Sequence, residues 1–150
     1  MKFLKMKKLI ALIVAIIAVS ACQEDNTINN RNPFVPVYNF SYSINLDLPL
    51  YSDLNSTGNA QFIFASGVGT NGVIVFNKGL NDFVAYEASC PNQYLSECSR
   101  LEIDGNNVIC PCDDVSYNLF LGVPPTASGL KYGLIPYRAQ LNGRILTISN

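Results

Sequence analysis

The chain has 150 residues, 49% of them hydrophobic and 14% charged, with ten basic side chains, eleven acidic ones and no histidine. That length holds one domain of ordinary size. Without imidazole there is no Ser-His-Asp or Cys-His hydrolase and no histidine metal ligand. Lys2, Lys5, Lys7 and Lys8 all lie in the first eight residues, and beyond them six positive side chains face eleven negative ones, a net charge of −5. That balance excludes a basic nucleic-acid-binding protein.

Residues 1–8 are the basic stretch MKFLKMKK, and residues 9–19 are an unbroken apolar run, LIALIVAIIAV. A membrane-spanning helix needs about 20 apolar residues. The 11 here read as a signal peptide covering residues 1–21. Val19-Ser20-Ala21-Cys22 resembles the lipobox of bacterial lipoproteins, with Val at the position where Leu is commonest. The resemblance implies cleavage before Cys22 and acylation, including palmitate, of that residue. A lipid on Cys22 makes the membrane the first expected partner. It places the protein in the cell envelope, on the outer membrane of a Gram-negative bacterium, facing the periplasm or the cell surface. Residues 22–36 are polar, acidic at Glu24 and Asp25, and rich in Asn and Pro, which predicts a flexible tether. The acidic pair resembles the surface-export signal of lipoproteins in some gut and marine Gram-negative bacteria.

Residues 37–150 carry the pattern of an all-β domain. From Tyr38 to Leu50 every second residue is apolar (Tyr38, Phe40, Tyr42, Ile44, Leu46, Leu48, Leu50), which predicts one long half-buried strand closed by Pro49. Residues 52–59 have loop chemistry, and Gln61–Ala65 is a short apolar run. Three hairpins follow: Val73–Phe76 with Phe83–Tyr86, Leu101–Ile103 with Val108–Cys110, and Arg138–Leu141 with Ile145–Ile148 across Asn142-Gly143. No segment keeps a helical period for three turns.

Four cysteines lie in this domain. Cys90 stands in Ser89-Cys90-Pro91-Asn92, Cys98 eight residues on, and Cys110 and Cys112 in Cys110-Pro111-Cys112-Asp113. The two Cys-Pro loops, their order and the hairpins flanking them resemble the Rieske iron–sulfur domain over about Gly72–Ile148. Tyr117-Asn118, Gly122, Pro124 or Pro125, and Leu134 fall in line with that family's C-terminal half. The resemblance implies stacked antiparallel sheets with a small Cys-loop subdomain at about residues 88–124. It also makes Cys90, Asn92, Cys110 and Asp113 the four cluster-ligand positions. In the family two Cys hold one iron and two His the other. Here Asn92 and Asp113 stand where the imidazoles belong, and Val115 replaces a hydroxyl residue that bonds the cluster in many members. An amide oxygen is a poor iron ligand and a carboxylate is hard and anionic. The expectation is therefore no [2Fe–2S] cluster, no other metal and no cofactor.

Paired cysteines in an exported protein become disulfides, and four allow three pairings. Some Rieske proteins join the two cluster loops by a bridge from beyond the first ligand to the middle of Cys-Pro-Cys. By that resemblance Cys98 pairs with Cys112, which leaves Cys90 facing Cys110 across the vacated iron site. A zinc site with all four sulfurs as ligands competes, although the spacings lack the usual knuckles of two cysteines two to four residues apart. Asp113-Asp114 reads as a solvated pair rather than a calcium corner, and Glu97, Glu102 and Asp104 as an acidic face without chemistry. Gly67–Gly72 has the composition of a phosphate loop but no Lys and no following helix, so it reads as a turn. Tyr38, Phe40 and Tyr42 read as one sheet face. Asn55-Ser56-Thr57 is a sequon without meaning in a bacterial lipoprotein. No residue is assigned a catalytic role. The expected function is a non-enzymatic accessory or binding module, with an envelope protein of unknown identity as partner. The alternatives are a thiol–disulfide redox protein working through Cys90 and Cys110, and an electron carrier whose cluster uses non-His ligands.

Overall fold

The computed structural model describes residues 32–123 and 129–150. The expected signal peptide, Cys22 and most of the expected tether, together with Pro124 and Pro125, lie outside the described residues. Among the described residues nine strands follow in chain order: β1 (Ser41–Asn45), β2 (Ala60–Ile63), β3 (Val73–Gly79), β4 (Asp82–Glu87), β5 (Glu102–Asp104), β6 (Asn107–Cys110), β7 (Val115–Asn118), β8 (Pro136–Asn142) and β9 (Ile145–Ser149). A 3-10 helix, Pro49–Asn55, joins β1 to β2. The strands pair antiparallel throughout. A six-stranded sheet has the order β1-β9-β8-β4-β3-β2, and a three-stranded sheet the order β5-β6-β7. Among the described residues no helix is long and apolar enough to cross a membrane.

The fold is all-β, and its centre is β3. The run Val73-Ile74-Val75-Phe76 is continuously apolar because both faces of the strand are covered. Val73 and Val75 point into one core with Ile44, Leu46, Ala85 and Ile148. Ile74 and Phe76 point into a second core with Tyr86, Leu101, Val108 and Tyr117, beneath the small sheet. The two-residue period of a strand divides its side chains between the cores. In the large sheet β4 and β8 share only Ala85↔Tyr137 and Tyr86↔Pro136. The sheet is joined there by a narrow seam, and Tyr137 of that seam is buried in the first core.

Two expectations change. The strand foreseen over Tyr38–Leu50 is paired only over Ser41–Asn45, where Ser41 faces Ser149 and Asn45 faces Ile145. After Asn45 the chain turns. The Asn45 side chain accepts the amide of Asp47 at 2.9 Å, its carbonyl accepts the amide of Leu48 at 3.1 Å, and Pro49 opens the 3-10 helix. Ile44 and Leu46 keep the predicted inward face, while Tyr38, Leu48 and Leu50 are exposed. The tether foreseen over residues 22–36 also departs from expectation at its described end. Val35 is buried, Asn32 donates to the Pro91 carbonyl at 2.6 Å, and Phe34 sits edge-on to Tyr94 and Tyr132. Residues 32–36 thus belong to the domain body. Val35 and Phe34 were legible as apolar, but the flanking Pro and Asn masked them.

The hairpins fall as expected apart from their turns. Asn142 pairs with Ile145, so the turn residues are Gly143 and Arg144 rather than Asn142 and Gly143. Arg144 is held there by Asp47 at 2.7 Å and by the Leu46 carbonyl at 3.4 Å. Gly79 pairs with Asp82, leaving Leu80 and Asn81 as a two-residue turn with φ of 53° and 62°.

Candidate functional site

The two Cys loops lie at one end of the second core. The first leaves β4 and is closed at its base by backbone bonds from Cys90 to the Ser99 carbonyl (2.7 Å) and from Leu101 to the Ala88 carbonyl (2.8 Å). The second joins β6 to β7. It is tightened by the amide of Asp114, which donates to the Cys110 carbonyl at 2.9 Å and takes a left-handed φ of 56°.

These loops are stitched twice. Cys90 is bonded to Cys110, with 5.6 Å between their Cα atoms, and Cys98 to Cys112, with 5.1 Å. These are the pairs that the resemblance implies. Cys90 and Cys110 are 0% exposed. Cys98 is exposed and Cys112 half-buried. The sulfurs of Cys90, Cys110 and Cys112 lie within 4.8 Å of one another, so the bridges are stacked, one inside and one outside. The Ser96 hydroxyl lies 3.4 Å from the Cys98 sulfur and 3.7 Å from that of Cys112.

Asn92 and Asp113, the two positions that the resemblance sets against imidazoles, are engaged in hydrogen bonds of their own. Both donors of the Asn92 amide are committed, to the Tyr117 hydroxyl at 3.0 Å and to the Tyr132 carbonyl at 2.8 Å. Its oxygen accepts the Tyr132 amide at 3.1 Å. Asn92 thereby clamps the segment around Tyr132 to the first loop. Asp113 accepts Gln93 Nε2 at 2.7 Å on one oxygen and the Val115 amide at 3.1 Å on the other, tying the two loops together. A [2Fe–2S] cluster needs four free ligand atoms. Here the two aligned sulfurs are consumed by a covalent bond and the other two side chains by hydrogen bonds, so the residues present do not fit the group. Burial raises the phenol of Tyr117 above its ordinary value, the Asn92 bond acts against this, and the Asp113 carboxylate adds to it.

One site element escaped the sequence. Glu87, at the end of β4, is fully buried and accepts five donors. The amides of Thr70 (2.7 Å), Asn71 (2.9 Å) and Ser89 (3.1 Å) reach it, as do the hydroxyls of Ser89 (2.8 Å) and Tyr137 (2.6 Å). The glycine-rich loop is therefore a turn that cradles an anion, and the anion is the chain's own carboxylate. A Cβ on Gly69 would collide with the Gly72 carbonyl oxygen, which is why the loop needs glycine there. The Tyr137 phenol is pushed far above its ordinary value, first by burial and then by this carboxylate. The signal in the sequence was the glycine spacing, and what it lacked was any sign that the ligand was internal. Of the other acidic residues, Glu97 of the first loop and Glu102 line one groove and Asp104 sits at the β5–β6 turn.

No family model and no curated protein matches the chain. Among solved structures it is similar to the Sphingomonas yanoikuyae B1 ferredoxin, at 14% identity and a TM-score of 0.45, covering 63% of this chain and 88% of that one. It is also similar to a chain of the complex of reduced oxygenase and oxidised ferredoxin in carbazole 1,9a-dioxygenase, at 20% identity and a TM-score of 0.45, covering 62% and 82%. A third similarity is to the apo form of a quaternary ammonium Rieske monooxygenase, at 13% identity and a TM-score of 0.48, covering 77% of this chain and 33% of that one. These are likenesses of fold outline, and no residue's role is taken from them.

Proposed function

We propose that the chain is a cell-envelope lipoprotein whose Rieske-like β domain carries two disulfides in place of a cluster and serves as a non-catalytic accessory or binding module. The observation that carries this reading is the commitment of all four cluster-ligand positions: Cys90 and Cys110 to each other, Asn92 to Tyr117 and Tyr132, Asp113 to Gln93 and Val115. Each contact holds one loop against another. What a Rieske domain would spend on iron, this chain spends on shape. Bridges closing loops of 20 and 14 residues each stabilise by about 3 kcal/mol on the chain-entropy account. The alternative of a redox protein working through Cys90 and Cys110 is opposed by the complete burial of both sulfurs. Oxidised sulfur pairs belong in an oxidising compartment, which agrees with the lipobox-like Val19-Ser20-Ala21-Cys22.

Membrane attachment through Cys22, with an envelope protein as partner, is tested by fractionation in a Gram-negative host. The native chain is expected in the membrane fraction. Cys22→Ala is expected to be released or to accumulate with its signal uncut. A substituted protein that fractionates and migrates like the native one contradicts the lipoprotein reading.

A further inference from the structure

The two disulfides differ in one respect that matters chemically: the outer one can be reached and the inner one cannot. Cys98 is exposed and forms part of the wall of an open groove of about 490 Å³, together with Phe62, Phe64, Arg100, Ile103 and Pro111. Cys90 and Cys110 have no accessible surface. Yet the sulfur of Cys112, the inner half of the outer bridge, lies within 4.8 Å of both buried sulfurs. We infer that the stacked pair is one thiol–disulfide exchange unit, with Cys98 as the point of attack and Cys112 as the sulfur that carries the exchange inward.

The reductant that fits is a dithiol that carries no charge besides its attacking thiolate. Glu97 and Glu102 outnumber the cation Arg100 in the groove wall, which disfavours a thiol bearing carboxylates, while the apolar walls accept a dithiol without them. One thiolate of the dithiol attacks Cys98 Sγ. The Cys98–Cys112 bond breaks, and Cys112 leaves with the electron pair as a thiolate beside the Ser96 hydroxyl. The second thiolate of the dithiol then displaces Cys98. Cys98 leaves as a thiolate and takes a proton from water, the donor closes its own disulfide, and two electrons have entered the chain. The Cys112 thiolate next attacks Cys90 or Cys110 Sγ. A new sulfur–sulfur bond forms, the Cys90–Cys110 bond breaks, and the expelled sulfur becomes the thiolate, with no further change in electron count. Surface reduction is thus converted into a rearranged bridge inside the second core.

The inference rests on the disulfide-for-cluster part of the proposed function and goes beyond it. Its test is partial reduction of the full chain with dithiothreitol, acid quench, alkylation and assignment of the labelled cysteines by peptide fragmentation. In singly reduced molecules Cys98 is expected to be labelled throughout, with the second label divided between Cys112 and the Cys90/Cys110 pair. In Cys98→Ser, bridges from Cys112 to Cys90 or Cys110 are expected beside the native Cys90–Cys110 bridge. Singly reduced native molecules labelled only at Cys98 and Cys112 would overturn the exchange, and labels appearing first on Cys90 and Cys110 would overturn the order of attack. The native-chain measurement stands even where Cys98→Ser fails to fold. Four alkylated cysteines before any reductant is added would instead sink the disulfide reading beneath it.

Discussion

Asn92 shows how much one side chain can hold together. A single amide makes three bonds across the site, two donated and one accepted. Removing it leaves the Tyr117 hydroxyl and both backbone groups of Tyr132 without that partner. Since each unmade bond in a partly buried site costs on the order of 1 kcal/mol, Asn92→Ala is expected to destabilise the domain by about 2–3 kcal/mol in urea unfolding. A change within about 0.5 kcal/mol would show that the clamp is not structural. This much was half legible. Donor chemistry sets Asn92 and Asp113 apart from the imidazoles that the resemblance calls for. It does not say what they bind instead, because Tyr132 is 40 residues away and Gln93 is 20 residues from Asp113. Glu87 was hidden for the same reason, since three of its five donors come from residues 70, 71 and 137.

At the scale of elements, hairpins were legible because period-2 runs flank short turn chemistry, and β3 to β6, β8 and β9 fall close to their expected places, whereas β7 was not foreseen as a strand. The first strand was overdrawn because apolar alternation continues past Asn45, where a side-chain turn and Pro49 stop the pairing. The β3–β4 turn holds a different lesson. Leu80 has a left-handed φ of 53° and is fully exposed, with no packing to offset the conformation. A left-handed L-residue costs about 1–2 kcal/mol, less for Asn. Leu80→Asn is therefore expected to raise stability by about 1 kcal/mol and to shift the thermal midpoint upward by a few degrees. A lowered midpoint would contradict the turn assignment.

Over the whole molecule, the β3–β4 ribbon carries a core on each face, and buried phenols sit in both. Tyr86, Tyr117 and Tyr137 are held above the ordinary phenol value of 10.0, in each case first by burial. In the unfolded chain they ionise near pH 10, while the folded chain keeps its protons. The stability due to the neutral phenols is thus complete below about pH 10 and drains as pH rises through the folded values. The expected slope reaches about 1.4 kcal/mol per pH unit for each tyrosine. Urea midpoints between about pH 8 and 11 should fall above about pH 10, and Tyr137→Phe should make that fall shallower while weakening the protein at neutral pH through the lost bond to Glu87. An unchanged alkaline slope would count against Tyr137 as a contributor. The central claim is that the four loop cysteines form two bridges. It is tested most directly by alkylating the denatured, unreduced protein and mapping the labels. The account predicts no label on Cys90, Cys98, Cys110 or Cys112, and linked peptides joining Cys90 to Cys110 and Cys98 to Cys112. Labels on all four, released together with stoichiometric iron or zinc, would contradict it.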